Sequence, residues 1–176
     1  MYPSLDEEMR DGRRFMRTAL KKGRRALPGC LPNPPVGCVL VRGEQTIACG
    51  YTQSPGQPHA EAMALSQVSG DLSDVSAYVT LGPCSFHGRT PSCAKALIDR
   101  AIGRVFVATL DPDPRNSGAG IKLLESAAII VEIGMLEKEA LEDLRAVFGE
   151  NLRAFLEVTQ LTLGEAADAR SRPSGA

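Results

Sequence analysis

The chain has 176 residues, of which 43% are hydrophobic and 23% charged. That composition suits one globular domain with its own core and excludes a disordered chain, a collagen-like repeat and a coiled coil. The 20 basic and 21 acidic side chains leave a formal net charge of −1, so the charge balance offers no nucleic-acid footprint.

The N-terminal stretch mixes charges throughout, with apolar Met9, Phe15, Met16 and Leu20 at helical spacing, which predicts an amphipathic helix from about Leu5 to Leu27. Its basic side chains (Arg13, Arg14, Arg17, Lys21, Lys22, Arg24, Arg25) are read as a solvated face. The prolines of GCLPNPPVG force an extended or turning loop. Two strands follow, Val36 to Val41 and Thr46 to Tyr51, linked as a hairpin by RGEQ. After TQSPGQP comes a helix from about His59 to Val68. The strand SAYVTL leads through GPCSFHGRTPSC to a helix, AKALIDRA. RVFVATL is the fourth strand and DPDPRNSGAG a polar loop. IKLLESA is a helix, IIVEI the fifth strand, and a last helix covers about Glu137 to Leu156. An early hairpin and later strands separated by helices imply an α/β sandwich around a mixed five-stranded sheet. Residues 1–160 are read as a single domain and 161–176, small and polar, as a disordered tail.

No apolar run approaches the length that spans a bilayer; VGCVLV and SAAIIV are far too short. No secretory leader is visible either. The expectation is a cytoplasmic protein with no membrane partner. Five cysteines are an odd number, and the pattern suits buried thiols plus a metal site better than a disulfide framework. Cys30, Cys38 and Cys49 are read as structural.

Chemistry concentrates in Pro58-His59-Ala60-Glu61, in Pro83-Cys84, and in Cys93. One imidazole and two thiolates suit zinc. Three protein ligands leave a fourth tetrahedral position open, which is the pattern of catalytic rather than structural sites. His59 and Glu61 would point roughly 200° apart on an ideal helix, so they reach one centre only if the helix aims its N-terminal end at it. Cys93 falls near a second helix start, after Pro91, where the helix dipole favours a thiolate.

Zinc nucleobase deaminases carry H-x-E followed by P-C-x-x-C, the Glu moving protons without binding metal. Here the second cysteine comes nine positions after the first rather than three. That longer spacing resembles the deaminase domain of the bifunctional riboflavin-biosynthesis deaminase/reductase. The resemblance begins at Asn33-Pro34-Pro35-Val36-Gly37 and continues through Gly50-Tyr51, His59-Ala60-Glu61, Gly88-Arg89-Thr90-Pro91, Cys93, Asp111-Pro112 and Gly118-Ala119-Gly120. Any one of these motifs is weak; their joint order is specific.

The resemblance implies a three-layer α/β/α, cytidine-deaminase-like fold and a Zn2+ cofactor. It also implies hydrolytic removal of an exocyclic amine from a pyrimidine-like heterocycle. His59, Cys84 and Cys93 would hold the metal, and Glu61 would carry a proton from water to the ring nitrogen and the leaving amine. Asn33 would lie against the ring, Arg89 would face an anionic part of the substrate, and Ala60, Pro83, His87, Asp111 and Asp113 would complete the substrate side. A homo-oligomer, with a dimer favoured, is expected, without nucleic acid.

The substrate side departs from the family. Gly82 stands where Glu is usual before Pro-Cys, Phe86 where His is usual, Thr52 where His follows Gly-Tyr, Asp113 where Asn is common, and Ser92 where a second Pro is found. Losing several hydrogen-bonding groups predicts an altered substrate preference, and an added carboxylate at Asp113 would repel a phosphate. Two alternatives stay open: a deaminase of another base or nucleoside, of aminopurine or cytosine type, and a degenerate module that binds zinc only for stability.

Overall fold

The computed structural model describes residues 5–85, 92–111 and 116–149. Ten elements follow in order: α1 (Leu5–Arg24), β1 (Gly37–Arg42), β2 (Gln45–Tyr51), α2 (Ala60–Leu65), β3 (Val75–Leu81), α3 (Cys93–Asp99), β4 (Arg104–Thr109), α4 (Ala119–Ser126), β5 (Ile130–Ile133) and α5 (Glu137–Phe148). The sheet runs β2-β1-β3-β4-β5. β1 is antiparallel to both β2 and β3, whereas β3, β4 and β5 are parallel. This is the mixed five-stranded sheet expected from the order of elements.

Side chains alternate across the strands, and each face builds its own core. Cys38, Leu40, Ala77, Val79, Val105 and Val107 face one way and pack with Ala64, Ala94, Leu97, Ile121 and Leu124 of α2, α3 and α4. Val39, Val41, Tyr78, Phe106 and Ala108 face the other way, onto Phe15, Met16, Ala19 and Leu20 of α1 and Ala140 of α5. Burial on both faces explains why β1, β3 and β4 read as near-continuous apolar runs. Rings join the second core: Tyr78 stacks on Phe106 at 4.6 Å between centroids and tilts against Phe15 at 5.3 Å. Arg24 clamps α1 to α5 through Asp143 at 2.9 Å.

Two helices are shorter than the apolar spacing predicts, each for a local reason. α1 stops at Arg24 rather than Leu27, because the next amides tighten onto carbonyls three residues back (Arg25 N to Lys22 O, 3.0 Å; Ala26 N to Gly23 O, 2.9 Å) before the prolines remove donors. α2 begins at Ala60, with His59 outside it in extended backbone (φ −73°, ψ 172°). It ends at Leu65, where Gln67 and Val68 likewise bond three residues back. α5 is described to Phe148; its expected continuation to Leu156, with Leu152 and Phe155, lies outside the described residues, as does the tail 161–176. Leu144 and Ala140 of α5 are buried, so that apolar face packs on the core. Among the described residues no helix is long and apolar enough to cross a membrane.

Candidate active site

Because β3 and β4 are parallel neighbours, the loops after them leave from one edge of the sheet. Cys84 lies in the first of these loops and Asp111 in the second; Gly82 N donates to Thr109 O at 2.9 Å and joins the two. α2 and α3 bring their N-terminal ends to the same place. His59 immediately precedes α2, and Cys93 is the first residue of α3. Two glycines permit this convergence. A Cβ on Gly50 would collide with the carbonyl oxygen of Ala60, and one on Gly120 with that of Pro83. β2 therefore lets the first turn of α2 press onto the sheet, and α4 rests directly on the Pro83–Cys84 segment. Gly120→Ala is expected to push α4 off that segment and destabilise the fold by about 1–3 kcal/mol, the usual range for overpacking, read from denaturant titration.

The donor atoms of His59, Cys84 and Cys93 all lie within 4.8 Å of one another. His59 Nδ1 is 3.8 Å from Cys84 Sγ and 3.3 Å from Cys93 Sγ. A tetrahedral zinc with bonds of about 2.3 Å to sulfur and 2.0–2.1 Å to nitrogen sets those donors about 3.5 Å apart, and the two distances straddle that value. The set matches zinc in donor type and spacing. The Cys84 sulfur is held by more than covalent geometry: Ala94 N (3.1 Å) and Ser92 Oγ (2.9 Å) both donate to Cys84 O, and Cys93 N donates to Cys84 Sγ at 3.2 Å.

Electrostatics at the site favour charge on one sulfur. Hydrogen bonds from Cys93 and then His59 hold the Cys84 thiol down to about 4. Cys93, as donor to that sulfur and buried, is pushed up. The hydrogen bond to Cys84 raises His59 against the opposing effect of burial. Glu61 is 3% exposed, and burial, then the neighbouring Cys84 charge, pushes its carboxyl up to about 7. A buried carboxyl beside two sulfurs and an imidazole, with His59, Glu61 and Cys93 at helix starts and Cys84 in the loop after β3, is a site for proton movement next to a cation. A divalent cation among these donors would draw their ionisation downward. Cys38 and Cys30 are fully buried, and burial pushes both thiols up, as inert core thiols require.

The other residues singled out from the sequence fall as follows. Asn33 is half-buried in the loop before β1, its N–H donating to Cys30 O at 2.9 Å. Ala60 and Pro83 are buried beside the donors. Asp111 is 9% exposed and accepts from Asn116 Nδ2 at 2.7 Å. His87, Arg89 and Asp113 lie outside the described residues.

Three contributors escaped sequence reasoning as structural ties. Ser92 is the N-cap of α3, accepting from Lys95 N at 3.3 Å; a serine just before a helical run was the available signal. Thr52 Oγ1 accepts from Val36 N and donates to Pro34 O, both at 3.0 Å, strapping the Asn33 loop to the end of β2. Asn116 binds across two loops and has no local sequence signature. The basic face of α1 is exposed to solvent, with Arg14 lying over the Phe15 ring at 4.6 Å.

Residues 9–109 match the model of the cytidine and deoxycytidylate deaminase zinc-binding region. The chain belongs to this family of zinc-type hydrolytic deaminases, which act on small aminated heterocycles. It is 41% identical over 157 residues to the riboflavin biosynthesis protein RibD of Escherichia coli, covering 89% of this chain and 42% of that protein. Among solved structures, RibD of Acinetobacter baumannii superposes with a TM-score of 0.78 at 39% identity, over 82% of this chain and 41% of that one. The diaminohydroxyphosphoribosylaminopyrimidine deaminase/5-amino-6-(5-phosphoribosylamino)uracil reductase of Thermotoga maritima gives a TM-score of 0.78 at 33% identity, over 84% and 43%. The chain thus spans about two-fifths of the length of these relatives.

Proposed function

We propose that this chain hydrolyses an exocyclic amine from an aminated pyrimidine of the class named for the Thermotoga relative, with a preference altered by its own substrate-side residues. The observation that carries the reading is the buried Glu61 carboxyl set against a zinc-matched trio of donors. A zinc bound only for stability has no use for that carboxyl, which argues against a degenerate module.

His59, Cys84 and Cys93 would hold the zinc. Bound there, zinc supplies a Lewis acid that makes water a usable nucleophile near neutral pH, where free water, with a pKa of about 15.7, is not. A Glu61 carboxylate oxygen takes a proton from the attacking water as the new C–O bond forms. That proton passes to the ring nitrogen; Glu61 then takes the second proton from the new hydroxyl and gives it to the amine, so that the C=O bond forms as the C–N bond breaks and ammonia rather than amide anion leaves. Burial keeps bulk water from competing for that proton. Asn33, Ala60 and Pro83 would bound the ring. His87, Arg89, Asp111 and Asp113 would face the remainder of the substrate.

An altered preference has support at Gly82. A Cβ there would meet Asp111 N at 3.4 Å, an ordinary contact, so packing does not demand the missing side chain. A reducing cytoplasm is consistent with five free cysteines. Ammonia release from a panel of aminopyrimidines, aminopurines, cytosine nucleosides and the phosphoribosylaminopyrimidine tests the reading. Turnover is expected on aminopyrimidines. Fastest turnover of a purine or a cytosine nucleoside overturns the ring assignment, and turnover of the phosphoribosyl compound far above every other pyrimidine overturns the altered preference. Light scattering tests the homo-oligomer, with a dimer favoured, that the resemblance implies.

A further inference from the structure

We propose that Asn116 is a positioning residue: its side-chain amide locks the loops after β3 and β4 together and thereby sets the Cys84 sulfur and the Asp111 carboxylate in register. The inference rests on the deaminase reading above but concerns a residue that reading does not use.

Asn116 sits in the turn leading into α4 and is 5% exposed. Its Oδ1 accepts from Ser85 N at 2.8 Å and from Ser85 Oγ at 3.2 Å, on the residue directly after Cys84. Its Nδ2 donates to Asp111 Oδ2 at 2.7 Å. One planar group therefore serves a donor pair on one loop and an acceptor on the other. Among the standard side chains of this size only a carboxamide does so. Aspartate would lose the donor and set two carboxylates face to face. An apolar residue would remove the bonds to Ser85 N, Ser85 Oγ and Asp111 Oδ2 together, whereas among the described residues every buried side-chain N and O has a partner.

Two other ties join the same loops, Gly82 N to Thr109 O and the seat of Gly120 on Pro83. Removal of the amide is therefore expected to loosen the register without unfolding the chain. Partners of metal ligands commonly govern affinity by about 10–100-fold, and the same range is expected here.

The test uses the zinc-loaded full chain. In Asn116→Ala, transfer of zinc to a chromogenic chelator should be at least about 10-fold faster than in the parent, and the thiolate charge-transfer bands of the cobalt-substituted protein should shift. Asn116→Asp should behave likewise. The exchange variant, Asn116→Asp combined with Asp111→Asn, restores one donor and one acceptor to the bridge. It should recover zinc retention to within about threefold of the parent. The proposal is overturned by a zinc-loss rate within about twofold of the parent together with an unmoved cobalt spectrum in Asn116→Ala. An exchange variant no better than Asn116→Asp alone overturns it equally. These readouts need no turnover, so absence of ammonia release in the parent would count against the functional reading alone.

Discussion

Glu61→Gln is expected to lower kcat by about 10²–10⁴-fold, the usual contribution of a positioned acid–base group, while zinc content stays stoichiometric. Glutamine preserves the shape of a side chain that is 3% exposed and removes only its ability to accept and return a proton. The donors of the candidate metal site are unaltered, so the metal should remain. The carboxyl is buried and interacts with Cys84, His59 and Cys93. Metal analysis together with steady-state ammonia release checks the prediction. Retained turnover would remove Glu61 from the chemistry, and a metal-free Glu61→Gln would recast it as part of the metal site.

Cys93→Ser should have the opposite signature, with loss of zinc first and of activity as its consequence. The hydroxyl is a poor replacement for a thiolate. The change also removes the sulfur that sits 3.3 Å from His59 Nδ1. A ligand that binds only the folded state stabilises it by about 2.7 kcal/mol at 100-fold excess over its dissociation constant. Cys93→Ser forfeits that stabilisation, and its melting temperature should no longer respond to added zinc. Chelation of the parent should reproduce the same melting temperature. A Cys93→Ser chain that still melts higher with zinc would show that the metal is held elsewhere.

Fold class was legible because the signals were local. The continuous apolar run Val105-Phe106-Val107-Ala108 and the apolar stripe Phe15, Met16, Ala19, Leu20 are properties of neighbouring residues. Helix ends were less so, since the closing of α2 depends on three-residue bonds at Gln67 and Val68 rather than on composition. The candidate donors were readable from residue type and spacing, and the structure brings His59, Cys84 and Cys93 together. The ties that hold them were not. Asn116 meets Ser85 across 31 positions and Gly37 N meets Thr80 Oγ1 across 43, and such pairings exist only once the sheet order is set.

Thr52 has a consequence for what this corner of the molecule can evolve to bind. Its hydroxyl, 4% exposed, is already occupied in both directions by Val36 N and Pro34 O. It has therefore been recruited as internal scaffolding and is withdrawn from any dialogue with a ligand. Restoring an imidazole there would gain a recognition group and at the same stroke unfasten the strap that carries Asn33, so at this position selectivity and rigidity are inherited together.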